Sequence, residues 1–144
     1  MNVYKFGGAS VKDAEGVKNL FKIINTQREN LIIVVSAMGK MTVALEVLCN
    51  SYFGKTGNIA EVFQRIQDFH RQSIRDLFGS AYSEVNARVE ALYQELGTIR
   101  KSDPSLCYYD EYDRIICFGE LLSTTIIASY LEKQGRKAKF TDIR

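Results

Sequence analysis

The stretch that decides the fold is Met1-Asn2-Val3-Tyr4-Lys5-Phe6-Gly7-Gly8-Ala9-Ser10, which predicts a short strand running into a glycine turn. An amphipathic helix pattern follows directly. Because glycines carry no side chain that holds an anion away from the backbone, the N–H groups of such a turn can point at one phosphate together. Lys5 adds a positive charge at the end of the strand. The same dipeptide also occurs in plain strand-to-helix turns, in which Lys5 is only solvated.

Composition narrows the class of protein. The chain has 144 residues, 46% of them hydrophobic, and a net charge of +2, which fits one globular domain. The balanced charge argues against nucleic acid or an anionic membrane as partner. The longest apolar run, Leu31 to Ala37, is shorter than a membrane span of about 20 residues. Three cysteines without paired spacing and a single histidine favour a cytoplasmic protein with reduced thiols and no metal cluster.

The first 35 residues predict a strand–helix–strand unit. One apolar stripe marks a helix over residues 11–27: it is formed by Val17, Leu20, Phe21 and Ile24. Ser10 and Asp13 are candidates for the N-terminal cap of this helix or for anion contacts. A β-branched run at residues 31–35 then predicts a buried parallel strand.

Hydroxyl and small residues follow the second strand, in Ser36-Ala37-Met38-Gly39-Lys40-Met41-Thr42. Open α/β sheets bind ligands at the carboxyl ends of their strands, so two such ends beside each other predict one crevice. Ser36 and Thr42 are equally explained as helix caps. The later Gly54-Lys55-Thr56-Gly57 is not a nucleotide-binding P-loop, because the required first glycine is replaced by Cys49.

Two more helices and a long third one complete the pattern. Apolar faces over residues 59–77 and 85–99, broken at Gly79-Ser80, predict a helical hairpin packed on the sheet, with His70 as a core or boundary histidine. An apolar helix over residues 109–133 contains Glu120, which is either buried with a partner or on an exposed stripe. Residues 136–141 predict a third strand. The expected fold is therefore α/β: a three-layer α/β/α sandwich with a mainly parallel sheet and a helical hairpin insertion.

Three separated motifs give the chain a resemblance to the N-terminal part of the aspartokinases, in the amino-acid kinase family. They are Lys5-Phe6-Gly7-Gly8-Ala9-Ser10-Val11, then Val34-Val35-Ser36-Ala37-Met38-Gly39 with Thr42, then Gly119-Glu120 with Ser123. Their order and spacing also resemble the family, over essentially all of residues 1–144. The resemblance implies the N-terminal, substrate-binding lobe of a kinase domain.

The resemblance also implies an activity: transfer of the γ-phosphate of ATP to the side-chain carboxylate of L-aspartate, giving 4-phospho-L-aspartate on the route to lysine, threonine and methionine. It implies that Lys5 is catalytic and contacts the phosphates of ATP, and that Thr42 and Glu120 hold the amino acid. Further phosphate contacts are implied for Gly7, Gly8, Ser10 and Ser36. MgATP is the implied co-substrate, with no tightly bound cofactor or structural metal, and the complete enzyme is expected to form a homo-oligomer.

The chemistry is compatible with these residue types. A carboxylate nucleophile is already ionised at neutral pH, so no general base is required. Catalysis then depends on positioning and on neutralising phosphate charge, which lysine, backbone N–H groups and magnesium supply.

Two departures from the family pattern stand out. Family members have a longer kinase domain, whose second half supplies most of the nucleotide pocket, and regulatory ACT domains. The chain is therefore expected to be a fragment that cannot turn over alone and lacks allosteric inhibition. Val43 replaces an asparagine that many relatives carry after the threonine.

Other functions compete with this interpretation. A kinase of the same family acting on glutamate, acetylglutamate or a nucleoside monophosphate such as UMP shares the glycine-rich loop, but is not expected to carry Gly119-Glu120 in a helix. A Rossmann-type dinucleotide binder is a poor match, because the spacing G-x-G-x-x-G is absent. A non-catalytic α/β module that serves only assembly is the alternative from a different class.

Overall fold

The structure, a computed structural model, describes residues 1–27, 30–80 and 82–142. Its elements are β1 Asn2–Phe6, α1 Ala14–Asn25, β2 Leu31–Val35, α2 Met41–Phe53, α3 Ile59–Phe78, α4 Ser83–Lys101 and α5 Tyr108–Lys133. β1 and β2 are parallel neighbours, with Lys5 opposite Val34 and Phe6 opposite Val35. The predicted α/β class, with a parallel sheet, is confirmed.

α1 connects the two strands and buries the predicted stripe: Val17, Leu20 and Ile24 are fully buried. The helix begins at Ala14, three residues later than the pattern predicted, because Asp13 is the N-cap and its side chain accepts the Gly16 N–H at 2.9 Å. The residues between Phe6 and Ala14 therefore form a longer connection than expected. Of the two cap candidates, the capping residue is Asp13.

The sheet has one buried and one exposed face. Alternate residues of a strand point to opposite faces. Phe6 and Val35 face the core, whereas Val3, Ile32 and Val34 are 64%, 45% and 46% exposed. Within residues 1–27, 30–80 and 82–142, no element covers this apolar face.

The helical hairpin is confirmed as α3 and α4, separated at Gly79 and Ser80. It packs chiefly on α1, α2 and α5 and not, as predicted, on the sheet. The end of α3 is fastened to α5, since Lys133 Nζ donates to the carbonyl oxygens of Leu77 and Phe78 at 3.3 and 2.9 Å. A lysine at the C-terminus of a helix also complements the helix dipole.

α5 is the central helix of the core. The most apolar 18-residue window of α5 has a mean hydropathy of 1.4. By length and composition alone, the helix is therefore long and apolar enough to cross a membrane. However, 72% of that window is buried within the protein, against α2 and α4 above all. Burial in the core explains the same composition. Its fully buried side chains include Ile115, Phe118, Leu122 and Ile126.

The third strand predicted at residues 136–141 is wrong for the described part of the chain, which contains a two-stranded sheet. Ala138 and Phe140 of this segment are half-buried against the core. The side chain at the start of the segment is tied to the end of α1: the Arg136 guanidinium donates to the carbonyl oxygens of Ile24 and Gln27, at 3.0 and 3.3 Å. The segment thus follows the end of α1 without pairing to β2.

His70 is a core histidine, as predicted. Its ring is fully buried, and Nδ1 lies 2.8 Å from the carbonyl oxygen of Ile66, so Nδ1 carries the proton. Nε2 has no hydrogen-bond partner within the described residues. Burial lowers the pKa of His70 from 6.5 to about 4, despite an opposing contribution from the bond to Ile66.

This burial predicts a pH-dependent stability. Between pH 6.5 and about 4 the unfolded chain protonates His70 and the folded chain does not. The free energy of unfolding is therefore expected to fall as the pH falls through this window, by about 3 kcal/mol at full effect. Urea unfolding from pH 7.5 to 4 measures the loss. His70→Gln, which keeps a donor for Ile66, is expected to show a flatter profile; parallel profiles for both proteins would contradict the assignment.

Candidate active site

The connection between β1 and α1 is a tight turn built on Gly7. The Ser10 N–H donates to the carbonyl oxygen of Gly7 at 2.9 Å. The side chain of Lys5 projects from the exposed face of the sheet and lies over the turn. Its Nζ atom is 3.7 Å from the position that a Cβ atom on Gly7 would occupy. Lys5 and Gly7 are thus brought together. Ser10 is exposed beside them.

Gly8 brings this turn against the end of β2. A Cβ at Gly8 would lie 2.9 Å from the carbonyl oxygen of Ala37, closer than real side chains approach backbone. The hydrogen bonding between β1 and β2 continues one residue beyond the end of β2, since the Ser36 N–H donates to the carbonyl oxygen of Phe6 at 3.1 Å. The absence of a side chain at Gly8 therefore lets the two connections meet.

The connection between β2 and α2 also depends on a glycine. Gly39 has a φ of +55°, a conformation that L side chains rarely adopt. A Cβ there would lie 3.1 Å from both the Lys12 carbonyl oxygen and the Phe69 ring. Phe69 of α3 thus packs at Gly39, a long-range contact that was not predicted.

α2 starts at this edge with an open N-terminus. Its N-cap is Lys40, which makes no side-chain capping bond, and the first turn contains no acidic residue. Thr42 is half-buried in that turn, and its neighbour Val43 is 57% exposed. The N-terminus of a helix attracts anions through its free N–H groups and its dipole.

Glu120 and Ser123 of α5 both bond to the peptide unit between Ser36 and Ala37, which follows β2. Glu120 is half-buried, and its Oε1 accepts the Ala37 N–H at 3.2 Å. On the other side of the same peptide, Ser123 Oγ donates to the carbonyl oxygen of Ser36 at 2.9 Å. We call this pair of bonds the peptide clamp. Of the two interpretations of Glu120, the one with a partner is correct, and the partner is a backbone N–H.

Close contact between α5 and the strand end makes the peptide clamp possible. A Cβ at Gly119 would lie 2.8 Å from the Cβ of Ala37 and 3.2 Å from Leu45 Cδ1. Gly119 and Ser123 are one helical turn apart and therefore share a face. A glycine and a serine at that spacing beside a glutamate are a sequence signal for such packing; neither residue was assigned a role from the sequence.

The candidate site is one edge of the sheet that carries hydrogen-bond donors and positive charge. Two glycine turns, a lysine and an uncapped helix N-terminus lie at the carboxyl ends of two parallel strands, with one carboxylate beside them. This chemistry suits a phosphorylated ligand together with a group that carries positive charge. Within the described residues, no group of three or more His, Cys, Asp or Glu side chains is placed to hold a metal ion.

The sequence profile described as "Amino acid kinase family" matches residues 1–144. The chain belongs to the amino acid kinase family. Among its relatives, aspartokinase 1, chloroplastic, of Arabidopsis thaliana is 34% identical over 97% of this chain and 25% of its own length. The aspartokinase of Chlamydia trachomatis is 31% identical over 89% of this chain and 27% of its own length. The chain thus spans about a quarter of the length of these relatives.

Solved structures show the same fold. Escherichia coli aspartokinase III in complex with lysine and aspartate superimposes with a TM-score of 0.85 at 20% identity, over 100% of this chain and 32% of that chain. The same enzyme in complex with aspartate and ADP gives a TM-score of 0.84 at 20% identity, over 100% and 31%. The resemblance to the aspartokinases, deduced from three short motifs, is confirmed.

Gly119 in α5 and Gly97 in α4, both inside helices, give a direct test of the contact between α5 and Ala37. Gly119→Ala is expected to lower the free energy of unfolding by about 1–3 kcal/mol, because the new methyl group overlaps Ala37. Gly97→Ala in α4 is the matched control, since a Cβ there meets no atom within 4 Å. It is expected to raise stability by about 0.5–1 kcal/mol through helix propensity. Urea unfolding measures the free energy of unfolding of both variants. A change of the same sign in both variants would contradict the packing of Gly119 on Ala37.

Proposed function

We propose that the polypeptide carrying this sequence is an aspartokinase, which transfers the γ-phosphate of ATP to the side-chain carboxylate of L-aspartate. The observation that carries the proposal is the 3.2 Å bond between Glu120 Oε1 and the Ala37 N–H, which joins motifs 83 residues apart at one sheet edge. The aspartokinase relatives agree with it. A kinase for glutamate, acetylglutamate or UMP, and a non-catalytic assembly module, remain the alternatives.

Each side chain has a proposed role. Lys5 is catalytic: its ammonium offsets charge on the transferring phosphoryl group. The N–H groups of Gly7 and Gly8, with Ser10 and Ser36, meet the phosphates of ATP. Magnesium arrives as the ATP complex and neutralises phosphate charge there. The aspartate carboxylate attacks without a general base, because it is already ionised at neutral pH.

The amino acid is held at the other end of the crevice. Oε1 of Glu120 is used by Ala37, and within the described residues Oε2 accepts no hydrogen bond that competes with a ligand. We assign Oε2 to the ammonium of L-aspartate, and Thr42 in the open first turn of α2 to a second contact. Val43, in the first turn of α2, is largely exposed, and we assign it no contact with the amino acid.

The rest of the catalytic domain is proposed to lie in further polypeptide. The chain matches about a quarter of each relative, and the exposed face of the sheet carries Val3, Ile32 and Val34 beside Lys5, so it is largely apolar, which favours burial. We propose that this chain is the N-terminal, substrate-binding lobe, that a nucleotide-binding half covers this face, and that ACT regulatory domains follow. A cytoplasmic, homo-oligomeric enzyme fits the proposal.

The substrate assignment predicts a split between two variants of one residue. Glu120→Gln keeps an oxygen for the Ala37 N–H and removes the charge that faces the ammonium. In the complete polypeptide, Glu120→Gln is expected to raise KM for L-aspartate by about 10- to 100-fold, because one hydrogen bond between charged groups is lost. The free energy of unfolding is expected to stay unchanged. Glu120→Ala is expected to lose stability as well. An unchanged KM in Glu120→Gln would reject the assignment.

The phosphate assignment predicts a different signature. Lys5→Ala is expected to lower kcat by about 100- to 1,000-fold, because charge stabilisation is lost in the transition state. Lys55→Ala, at an exposed lysine paired with Asp103 far from the crevice, is the matched control. A coupled assay for ADP release measures both. Equal rates in the two variants would remove Lys5 from the mechanism.

The domain assignment predicts that residues 1–144 alone give no turnover with L-aspartate and MgATP. The missing covering half, and not misfolding, is the expected reason. A folded spectrum by circular dichroism must therefore accompany the inactive assay. Turnover by the isolated chain would show that no further lobe is needed.

A further inference from the structure

Ser123 is tied to the proposed site only through backbone. Its side chain is fully buried, and Oγ lies 2.9 Å from the Ser36 carbonyl oxygen and 3.0 Å from the Glu120 carbonyl oxygen of its own helix. A hydroxyl has one proton, so the two carbonyls share it. The second bond is common for a helical serine, whereas the first crosses to another element.

The bond to Ser36 has a geometric consequence. The carbonyl of Ser36 and the N–H of Ala37 belong to one planar peptide unit. Ser123 holds one side of that plane and Glu120 Oε1 the other, so the plane cannot turn without losing a bond. The ψ angle of Ser36 is thereby fixed, and with it the direction of the backbone from which the Ser36 hydroxyl projects.

We propose that Ser123 is a positioning residue for phosphoryl transfer: through its bond to the Ser36 carbonyl it holds Ser36 in register with the glycine turn, while Glu120 keeps its own bond to the Ala37 N–H. The inference rests on the proposed function, because it takes Ser36 to meet the reacting phosphates. Ser123 touches no substrate, so its effect falls on the rate of the bound complex and little on the affinity for L-aspartate.

Steady-state kinetics on the complete polypeptide test the effect on catalysis. Ser123→Ala is expected to lower kcat about tenfold through misplacement of a site group, with KM for L-aspartate changed less than about twofold. Ser73→Ala is the matched control, since Ser73 is also a buried helical serine and its hydroxyl donates within its own helix, to Phe69 at 3.0 Å. The control is expected to keep the kcat of the unmodified protein.

A double-mutant cycle separates positioning from general weakening of the fold. If Ser123 acts through Ser36, then Ser123→Ala costs much less in kcat when Ser36→Ala is already present. The full tenfold loss in both backgrounds would overturn the proposal. Should Ser123→Ala fail to fold, Ser123→Cys has a similar size and a weaker donor, and an intermediate kcat is expected.

Amide exchange at Ala37 tests the peptide clamp without any assay of activity. In the ¹⁵N-labelled chain of 144 residues, Ser123→Ala is expected to speed exchange of the Ala37 N–H at least about tenfold, and Ser73→Ala to leave it unchanged. An unchanged Ala37 rate in Ser123→Ala would overturn the inference. If the unmodified polypeptide transfers no phosphate to L-aspartate, the proposed function fails, and the exchange experiment still decides whether Ser123 holds this peptide.

Discussion

The peptide unit between Ser36 and Ala37 is held from both sides by α5, and the candidate site depends on this contact. Ser123 donates to its carbonyl, and Glu120 accepts its N–H. Because Gly8 packs on the carbonyl oxygen of Ala37, the same contact also sets the position of the first glycine turn. Three motifs that are distant in the sequence thus share one edge of a two-stranded sheet.

The stability of that contact comes from the core behind it. α5 is buried along most of its length, and Gly119 lets its backbone approach Ala37 where any side chain would overlap. Lys133 and Arg136 then fix the far end of the helix and the segment after it to the ends of α3 and α1. A glutamate beside the crevice is consequently placed by a rigid element, which is what a specific ligand contact requires.

Much of this arrangement could be predicted from the sequence, because the signals are local. Periodic apolar residues predict the strand–helix–strand unit, the hairpin and the long helix. Glycine, hydroxyl and small residues after the two strands predict the crevice. The contacts that differ from prediction are long-range. Residues 136–141, predicted to be a strand, pair with neither β1 nor β2, and Arg136 bonds instead to the end of α1. The backbone partner of Glu120 lies 83 residues away, and no pattern within α5 identifies it.

We propose that Glu120 uses one carboxylate oxygen to hold the strand end and the other to bind L-aspartate. A crystal structure of the complete polypeptide with L-aspartate and ADP measures this most directly. We expect the aspartate ammonium about 3 Å from Glu120 Oε2, a hydrogen-bond distance, while Oε1 stays on the Ala37 N–H and the substrate carboxylate faces Lys5. An aspartate bound away from this edge, or a Glu120 side chain turned out of the crevice, would contradict this assignment of Glu120.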